Sequence, residues 1–271
     1  MLTTEQRNPK TTHLDKMTSL EIVQVMNEEN AYSVACLTPA LPQIARAIDA
    51  IAEAFSQGGR LFYMGAGTSG RLAVVDSAEC PPTFGVPREQ VVGIIAGGLD
   101  AMIHASENAE DDPNDGVREL KQRELTALDV VVGISAAGGA AFVCNALKYA
   151  QSLGCTTIGI TSNPGSKLDT ISDISIAVDT GAEVLTGSTR LKAGNAQKMI
   201  LNMLSTGAMV RSGYVYENLM INLKPTNIKL RGRVIRIVSQ ITGYDEMACV
   251  DLLEKSNWVI RDALQLWKQQ A

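Results

Sequence analysis

Apolar positions along this chain follow two periods. Short runs with no polar interruption, such as Leu61-Phe62-Tyr63-Met64 and Val130-Val131-Val132-Gly133-Ile134, alternate with stretches in which apolar residues return every three or four positions. The first pattern describes strands covered on both faces and the second describes helices with one apolar face. Strands are predicted at 60–64, 91–96, 129–134, 156–161 and 174–178, with helices at 69–80, 99–107, 113–124, 140–153 and 191–212. Strand and helix in alternation predict an α/β fold, a doubly wound parallel sheet.

Helices also flank the sheet. Thr18-Ser19-Leu20-Glu21 has the form of a capping box and opens a helix running to about Cys36, while Thr38-Pro39 opens another that stops at Gly58-Gly59. The residues before Thr18 read as an extended arm that needs a surface to be ordered. From about residue 229, three short helical patterns (230–242, 244–255 and 257–268) are divided by Gly243 and Ser256-Asn257. The expected organisation is therefore an N-terminal arm and helices over 1–58 packing on the main domain, a ligand-binding sheet domain over 59–228, and a small three-helix appendage over 229–271.

Composition narrows the function classes. At 271 residues, 45% hydrophobic and 20% charged, the chain suits one large α/β domain plus an appendage. A net charge of −5, with no like-charge run longer than Glu110-Asp111-Asp112, disfavours nucleic acid and anionic membrane as partners. No apolar run reaches the roughly 18 residues of a membrane span, and Met1 to Lys16 lack the apolar centre of a signal peptide, so a cytoplasmic protein is expected. The five scattered cysteines read as reduced, buried thiols. A zinc site or a Ser-His-Asp triad would have to use His13 or His104, and His104 falls in a helix-like segment where a surface or packing role fits better.

The candidate chemistry begins at Gly65-Ala66-Gly67-Thr68-Ser69-Gly70-Arg71, between a strand and a helix. These glycines satisfy G-x-G-x-x-G, but the next strand ends in Gly97-Gly98 rather than the acid that would hold a cofactor ribose. A Walker loop is excluded because Arg71-Leu72 follows Gly70. A glycine turn that merely joins strand to helix is one reading. A phosphate-ester pocket is the other, with helix-start N–H groups from Gly67 to Gly70 and the hydroxyls of Thr68 and Ser69 meeting the anion. In a doubly wound sheet, the loops after the strands converge. Ser135-Ala136-Ala137-Gly138-Gly139 and Thr161 to Gly165 are likewise small or hydroxylated, a lining that suits a sugar phosphate. Further along, Ser188 and Thr189 precede a helix start, and Arg190, Lys192 and Lys198 could balance a dianion; a capped helix with a solvated basic face competes.

Two carboxylates stand out. Glu79 lies at the end of the helix that starts at the glycine loop, just before Pro81-Pro82, where the helix dipole disfavours negative charge. Glu110 opens an acidic turn and can point inward while the two aspartates cap the next helix. Each alone is more readily a solvated or capping carboxylate, but a pair beside a bound sugar is what acid–base chemistry requires. Helical rise puts Glu79 roughly 15 Å from the anion-binding end, further than one hexose phosphate spans. The expected resolution is that Glu79 completes the pocket of a second subunit.

Taken together, Thr4 to Pro9, Gly65 to Leu72, Glu79-Cys80-Pro81-Pro82-Thr83-Phe84-Gly85, Ala109 to Asp112 and Thr186 to Lys198 resemble the N-acetylmuramic acid 6-phosphate etherases, bacterial enzymes built on a sugar isomerase (SIS) domain. The resemblance spans about residues 4–268 and implies cleavage of the D-lactyl ether at sugar C3, giving N-acetylglucosamine 6-phosphate and D-lactate in cell-wall recycling. It implies no metal or organic cofactor, a homodimer with shared sites, Glu110 as the base at C2, and Glu79 as the acid that assists lactate departure and then activates water. It also relates the chain to the glucokinase regulatory protein, a non-catalytic sugar-phosphate sensor, and to aldose–ketose isomerases on the same fold. One stretch departs from the pattern. Where the family usually reads Ala-Ser-Gly-Arg-Thr-Pro, this chain has Ala136-Ala137-Gly138-Gly139-Ala140-Ala141, without the serine, arginine and threonine.

Overall fold

The computed structural model describes residues 1–106, 108–223, 225 and 228–270. Five parallel strands, β1 (Leu61–Gly65), β2 (Val91–Ile95), β3 (Val130–Ile134), β4 (Thr156–Thr161) and β5 (Ile174–Ala177), pair in the order β2-β1-β3-β4-β5. Every one lies where the apolar runs predicted. Strands β1 and β3 are buried at all positions, so their side chains feed a core on each face of the sheet. Phe62, Met64 and Val131 pack with Leu120 of α4 (Asp115–Gln122), Phe142 and Leu147 of α5 (Ala141–Ser152) and Leu168 of α6 (Lys167–Ile171). Another helix against the sheet, α2 (Leu41–Ser56), buries Ile44, Ala47, Ile51 and Ala54, one stripe at helical spacing. The sheet is doubly wound as expected.

The chain forms two compact units, Met1–Ala78 with Glu89–Ala208 and Glu79–Arg88 with Met209–Ala271. The second has its own apolar core. There a two-stranded hairpin, β6 (Val215–Tyr216) and β7 (Leu219–Met220), accompanies α8 (Ile228–Thr242), α9 (Glu246–Lys255) and α10 (Ile260–Gln270), with Val234, Val238, Cys249, Leu253 and Ile260 fully buried. Among the described residues no helix is long and apolar enough to cross a membrane.

Three expectations change. The helix predicted to stop before Pro81-Pro82 continues as α3 (Gly67–Phe84), with both prolines inside it. Proline's fixed φ is helical, and so near the helix end the missing N–H groups deprive only the carbonyls of Ser77 and Ala78 of partners. The helix ends where Gly85 adopts φ +65° and its N–H bonds the carbonyl of Pro81 at 2.8 Å. The helix expected over 99–107 reduces to a short 3-10 turn at Leu99–Met102, and residue 107 lies outside the described residues. Small and polar residues at 104–106 supply too little apolar surface to hold a longer helix there.

The N-terminal arm, expected to be extended, is instead three 3-10 turns with Thr4, Asn8 and Thr11 buried. Its polar groups account for the folding. Thr3 donates from N and Oγ1 to Asn163 Oδ1 at 2.9 and 3.1 Å, and Asn163 Nδ2 donates to Thr4 Oγ1 at 3.0 Å and to the carbonyl of Ala136 at 2.8 Å. Thr11 Oγ1 donates to the carbonyl of Val184 at 2.8 Å. The arm is a strap tied to the loops beyond β3 and β4.

A buried charge cluster fastens the strap. Helix α1 (Ser19–Ala35) starts at the predicted capping box, with Thr18 N donating to Glu21 Oε2 at 2.7 Å and Glu21 N donating to Thr18 Oγ1 at 3.3 Å. On its inner face Glu29 accepts from Asn8 Nδ2 and Lys10 Nζ, each at 2.9 Å, and pairs with Lys192 at the start of α7 (Lys192–Arg211). Burial works against the Glu29 charge, but the bonds from Lys192, Lys10 and Asn8 outweigh it and hold the carboxyl below its ordinary range. The fully buried Glu183 accepts from the N–H groups of Lys192 and Ala193 at 3.0 and 2.9 Å, capping α7; its burial pushes that carboxyl up despite those bonds.

Two stability predictions follow from these contacts. Glu29→Gln removes the ion-pair partner of the buried Lys192 and is expected to cost about 3 kcal/mol at pH 7. Because the folded-state value of Glu29 is depressed, its contribution is present above the unfolded value and fades as pH falls through the folded one. The gap between wild type and variant, measured by urea unfolding, should therefore close below about pH 4. The second concerns α5, whose N-cap residue Ala140 makes no side-chain capping bond. Ala140→Thr is expected to add about 1 kcal/mol, or about 2–4 °C in Tm by calorimetry.

Candidate active site

The strand order reverses between β1 and β3: from β1 the chain moves out to β2, then returns across to β3. Loops leaving those two strands must diverge to opposite faces, which opens a crevice at their carboxyl ends. Helix α3 starts on one side of this crevice and α5 on the other. The first helical bonds are Gly70 N to the carbonyl of Ala66 and Cys144 N to that of Ala140, so the N–H groups of residues 67–69 and 141–143 have no partner within their own helices. Gly70 permits this close approach, since a Cβ there would lie 2.6 Å from both the carbonyl oxygen of Gly65 and Cγ1 of Ile95.

A cleft of about 310 Å³ occupies the crevice. Thr68, Ser69, Ser135 and Thr189 bring hydroxyls to it, Gly67 and Ala137 bring backbone, and Glu5 and Glu110 bring carboxylates. None of its lining residues carries a positive charge. An anion there is met by peptide dipoles and hydroxyls alone. A second cleft of about 440 Å³ adjoins the first and shares Ala66, Gly67 and Glu110 with it; its remaining wall includes Arg71, Ser106, Asn108 and Asp111. Glu110 therefore stands on the boundary of the two clefts, on the 3-10 turn Ala109–Asp111. Of the two aspartates expected to cap the next helix, Asp112 accepts from the N–H groups of Asn114 and Asp115 at 2.9 and 3.3 Å, whereas Asp111 lines the second cleft and the N-cap position of α4 is Asn114.

Of the residues singled out in the sequence, Gly67, Thr68, Ser69, Ser135, Thr189 and Glu110 line the first cleft together. Two of the hydroxyls have internal bonds as well. Ser69 Oγ donates to Gln197 Oε1 at 2.9 Å, tying α3 to α7, and Ser135 Oγ accepts from Gly138 N at 3.1 Å. Gly70 is buried behind the loop, and Ser188 is adjacent to lining residue Thr189 without lining either cleft itself. Lys192 does not reach either cleft; it is buried against Glu29, with its ammonium 5.5 Å from the centroid of the Tyr32 ring. Glu79 is exposed on α3, a little over three turns from Gly67 at 3.6 residues per turn, and lines neither cleft.

The structure adds Glu5. Its side chain lines the first cleft, with Oε2 3.2 Å from the position a Cβ would take on Gly187. The only signal in the sequence was membership of the motif Thr4 to Pro9, since nothing in the local pattern shows that an arm 60 residues before the glycine loop folds back over it.

Comparison with known proteins agrees with this architecture. The model of the glucokinase regulatory protein N-terminal SIS domain matches residues 43–151, and that of the SIS domain matches residues 116–207. Among solved structures, a putative phosphosugar isomerase involved in capsule formation from Bacteroides fragilis superposes with a TM-score of 0.58 at 23% identity, covering 74% of this chain and 95% of that one. A phosphoheptose isomerase from Neisseria gonorrhoeae superposes with a TM-score of 0.54 at 18% identity, covering 69% and 99%. At that identity the likeness is one of fold. Sequence relatives are much nearer: the N-acetylmuramic acid 6-phosphate etherase of Geobacillus sp. (strain WCH70) is 48% identical over 97% of this chain and 89% of its own length. That of Brucella anthropi is 51% identical over 89% and 79%. With an SIS-type sheet, a crevice at its switch point and relatives this similar along nearly all of its length, the chain belongs to the N-acetylmuramic acid 6-phosphate etherases.

Proposed function

We propose that this protein is a carbon–oxygen lyase that releases D-lactate from N-acetylmuramic acid 6-phosphate, leaving N-acetylglucosamine 6-phosphate. The observation that carries this reading is the place of Glu110 on the boundary between a dipole-lined cleft and its neighbour. With the phosphate at the starts of α3 and α5, the sugar ring extends towards that carboxylate. Opening of the ring to the aldehyde acidifies C2, and Glu110 removes the C2 proton. The C3–oxygen bond to the lactyl group then breaks, the C2–C3 double bond forms, and the departing oxygen takes a proton. Water adds at C3 and a proton returns to C2. Peptidoglycan recycling in the cytoplasm is the setting this chemistry serves, and the thiols of Cys36, Cys144, Cys155 and Cys249 are in keeping with a reducing compartment.

The acid for the departing oxygen is Glu79 of a second copy. Its exposure and its place far along α3 support a role outside its own cleft. Sharing of this kind requires a homodimer, and Leu20, Val23 and Val34 of α1, each more than half exposed on a face they share with Asn27 and Asn30, are available to its contact. A sugar-phosphate sensor without turnover is the second reading. It is favoured by the β3–α5 loop, where Ala137 and Ala140 present no hydroxyl and the lining offers no cation.

Three measurements test these assignments. Glu110→Gln is expected to lower lactate release from the muramyl phosphate by about 10³-fold or more with KM little changed; a rate within tenfold of wild type refutes the base assignment. Mixing Glu79→Ala subunits with Glu110→Gln subunits should restore part of the activity lost in each, because shared sites then include one intact pair; no recovery counts against the shared site. Restoring the loop as Ala137→Ser, Gly139→Arg and Ala140→Thr together is expected to lower KM about tenfold or more, given about 1 kcal/mol per hydroxyl bond. A Cβ at Gly139 meets nothing within 4 Å, so a side chain can start there without a clash.

A further inference from the structure

The mechanism above leaves Arg71 without a task. This residue stands one helical turn beyond Gly67 on α3, on the same face, and lines the second cleft. It is the only positively charged residue lining either cleft among the described residues. Its guanidinium is held in place by backbone: Nε donates to the carbonyl of Met102 at 3.1 Å and Nη2 to that of His104 at 3.4 Å. Those bonds use two of its five N–H groups and leave both on Nη1 and one on Nη2. No ion pair of Arg71 with a carboxylate is found among the described residues. A half-buried guanidinium with fixed orientation, a free edge and an unpaired charge is matched by a carboxylate, which it can bond in bidentate fashion.

The substrate class in the proposed function carries two anions, a phosphate on C6 and a carboxylate on the lactyl group at C3. The two clefts differ in the corresponding sense. One offers two helix starts and hydroxyls, suited to a phosphate, and the other offers one oriented guanidinium, on a wall that also includes Glu110 and Asp111. Glu110 lies where they meet, so a sugar spanning both would present the carbon next to C3 to that side chain. We propose that Arg71 recognises the lactyl carboxylate, making the second cleft the subsite that distinguishes the ether substrate from N-acetylglucosamine 6-phosphate. This assignment rests on the etherase reading for its ligand.

The test separates the two claims. Lactate release by the wild type from the muramyl phosphate decides the etherase reading on its own. The carboxylate assignment is read by titration calorimetry in a Glu110→Gln background, which holds the substrate unconverted, with N-acetylmuramic acid 6-phosphate and N-acetylglucosamine 6-phosphate as the two probes. Arg71→Met is expected to weaken binding of the first about 100-fold and of the second by less than threefold, and Arg71→Lys should recover part of the loss. Equal losses for both probes would mean that Arg71 serves the phosphate or the fold and would overturn the proposal. Unchanged binding of the muramyl phosphate would overturn it as well.

Discussion

The reversal of strand order between β1 and β3 is the constraint on which the rest of this molecule depends. Parallel strands require crossovers, and where successive crossovers leave in opposite directions no loop can cover the gap between them. The gap is therefore lined by what remains: the starts of two helices and the small residues that allow them close to the strand ends. Unpaired N–H groups and helix dipoles make that gap attractive to an anion without any charged side chain. The absence of cations from the first cleft's lining is thus compatible with phosphate binding, and it leaves hydroxyls to set the affinity.

A second layer of polar contacts gives the crevice its rim. The N-terminal strap, Asn163 and the carbonyl of Ala136 form one hydrogen-bonded group, so the arm that carries Glu5 is coupled to the loop that carries Ser135. Glu29 fastens the other end of the strap through Lys10, Asn8 and Lys192. Lys192 is thereby committed to holding α1 against α7. A motif lysine next to the hydroxyls of Ser188 and Thr189 reads in sequence as a phosphate ligand, but burial with a carboxylate partner gives it a structural task.

The two carboxylates singled out in the sequence do not line one cleft. Glu110 sits on a short turn between the clefts, whereas Glu79 stands exposed on the long helix that starts at the glycine loop. A helix that begins at the crevice carries its later residues away from it at about 1.5 Å each. The same helix supplies Arg71 one turn from its start, where it lines the second cleft.

Much of this was legible in the chain itself. Uninterrupted apolar runs specify strands buried on both faces, and their alternation with helical patterns specifies the parallel sheet, because no other arrangement covers both faces with short connections. The glycine loop, the hydroxyls of Thr68, Ser69 and Ser135, and the candidate base Glu110 were legible too, being tied to strand ends whose positions periodicity reveals. Periodicity describes only local burial, and three features lay beyond it. Proline's tolerance in the last turns of α3 depends on which carbonyls can go unpartnered. The folding of the arm depends on polar groups more than 150 residues away, and so does the presence of Glu5 in the cleft. The commitment of Lys192 and the freedom of Arg71 depend on which partners the fold places within reach: charge is a property of a residue, but compensation of that charge is a property of the packed structure.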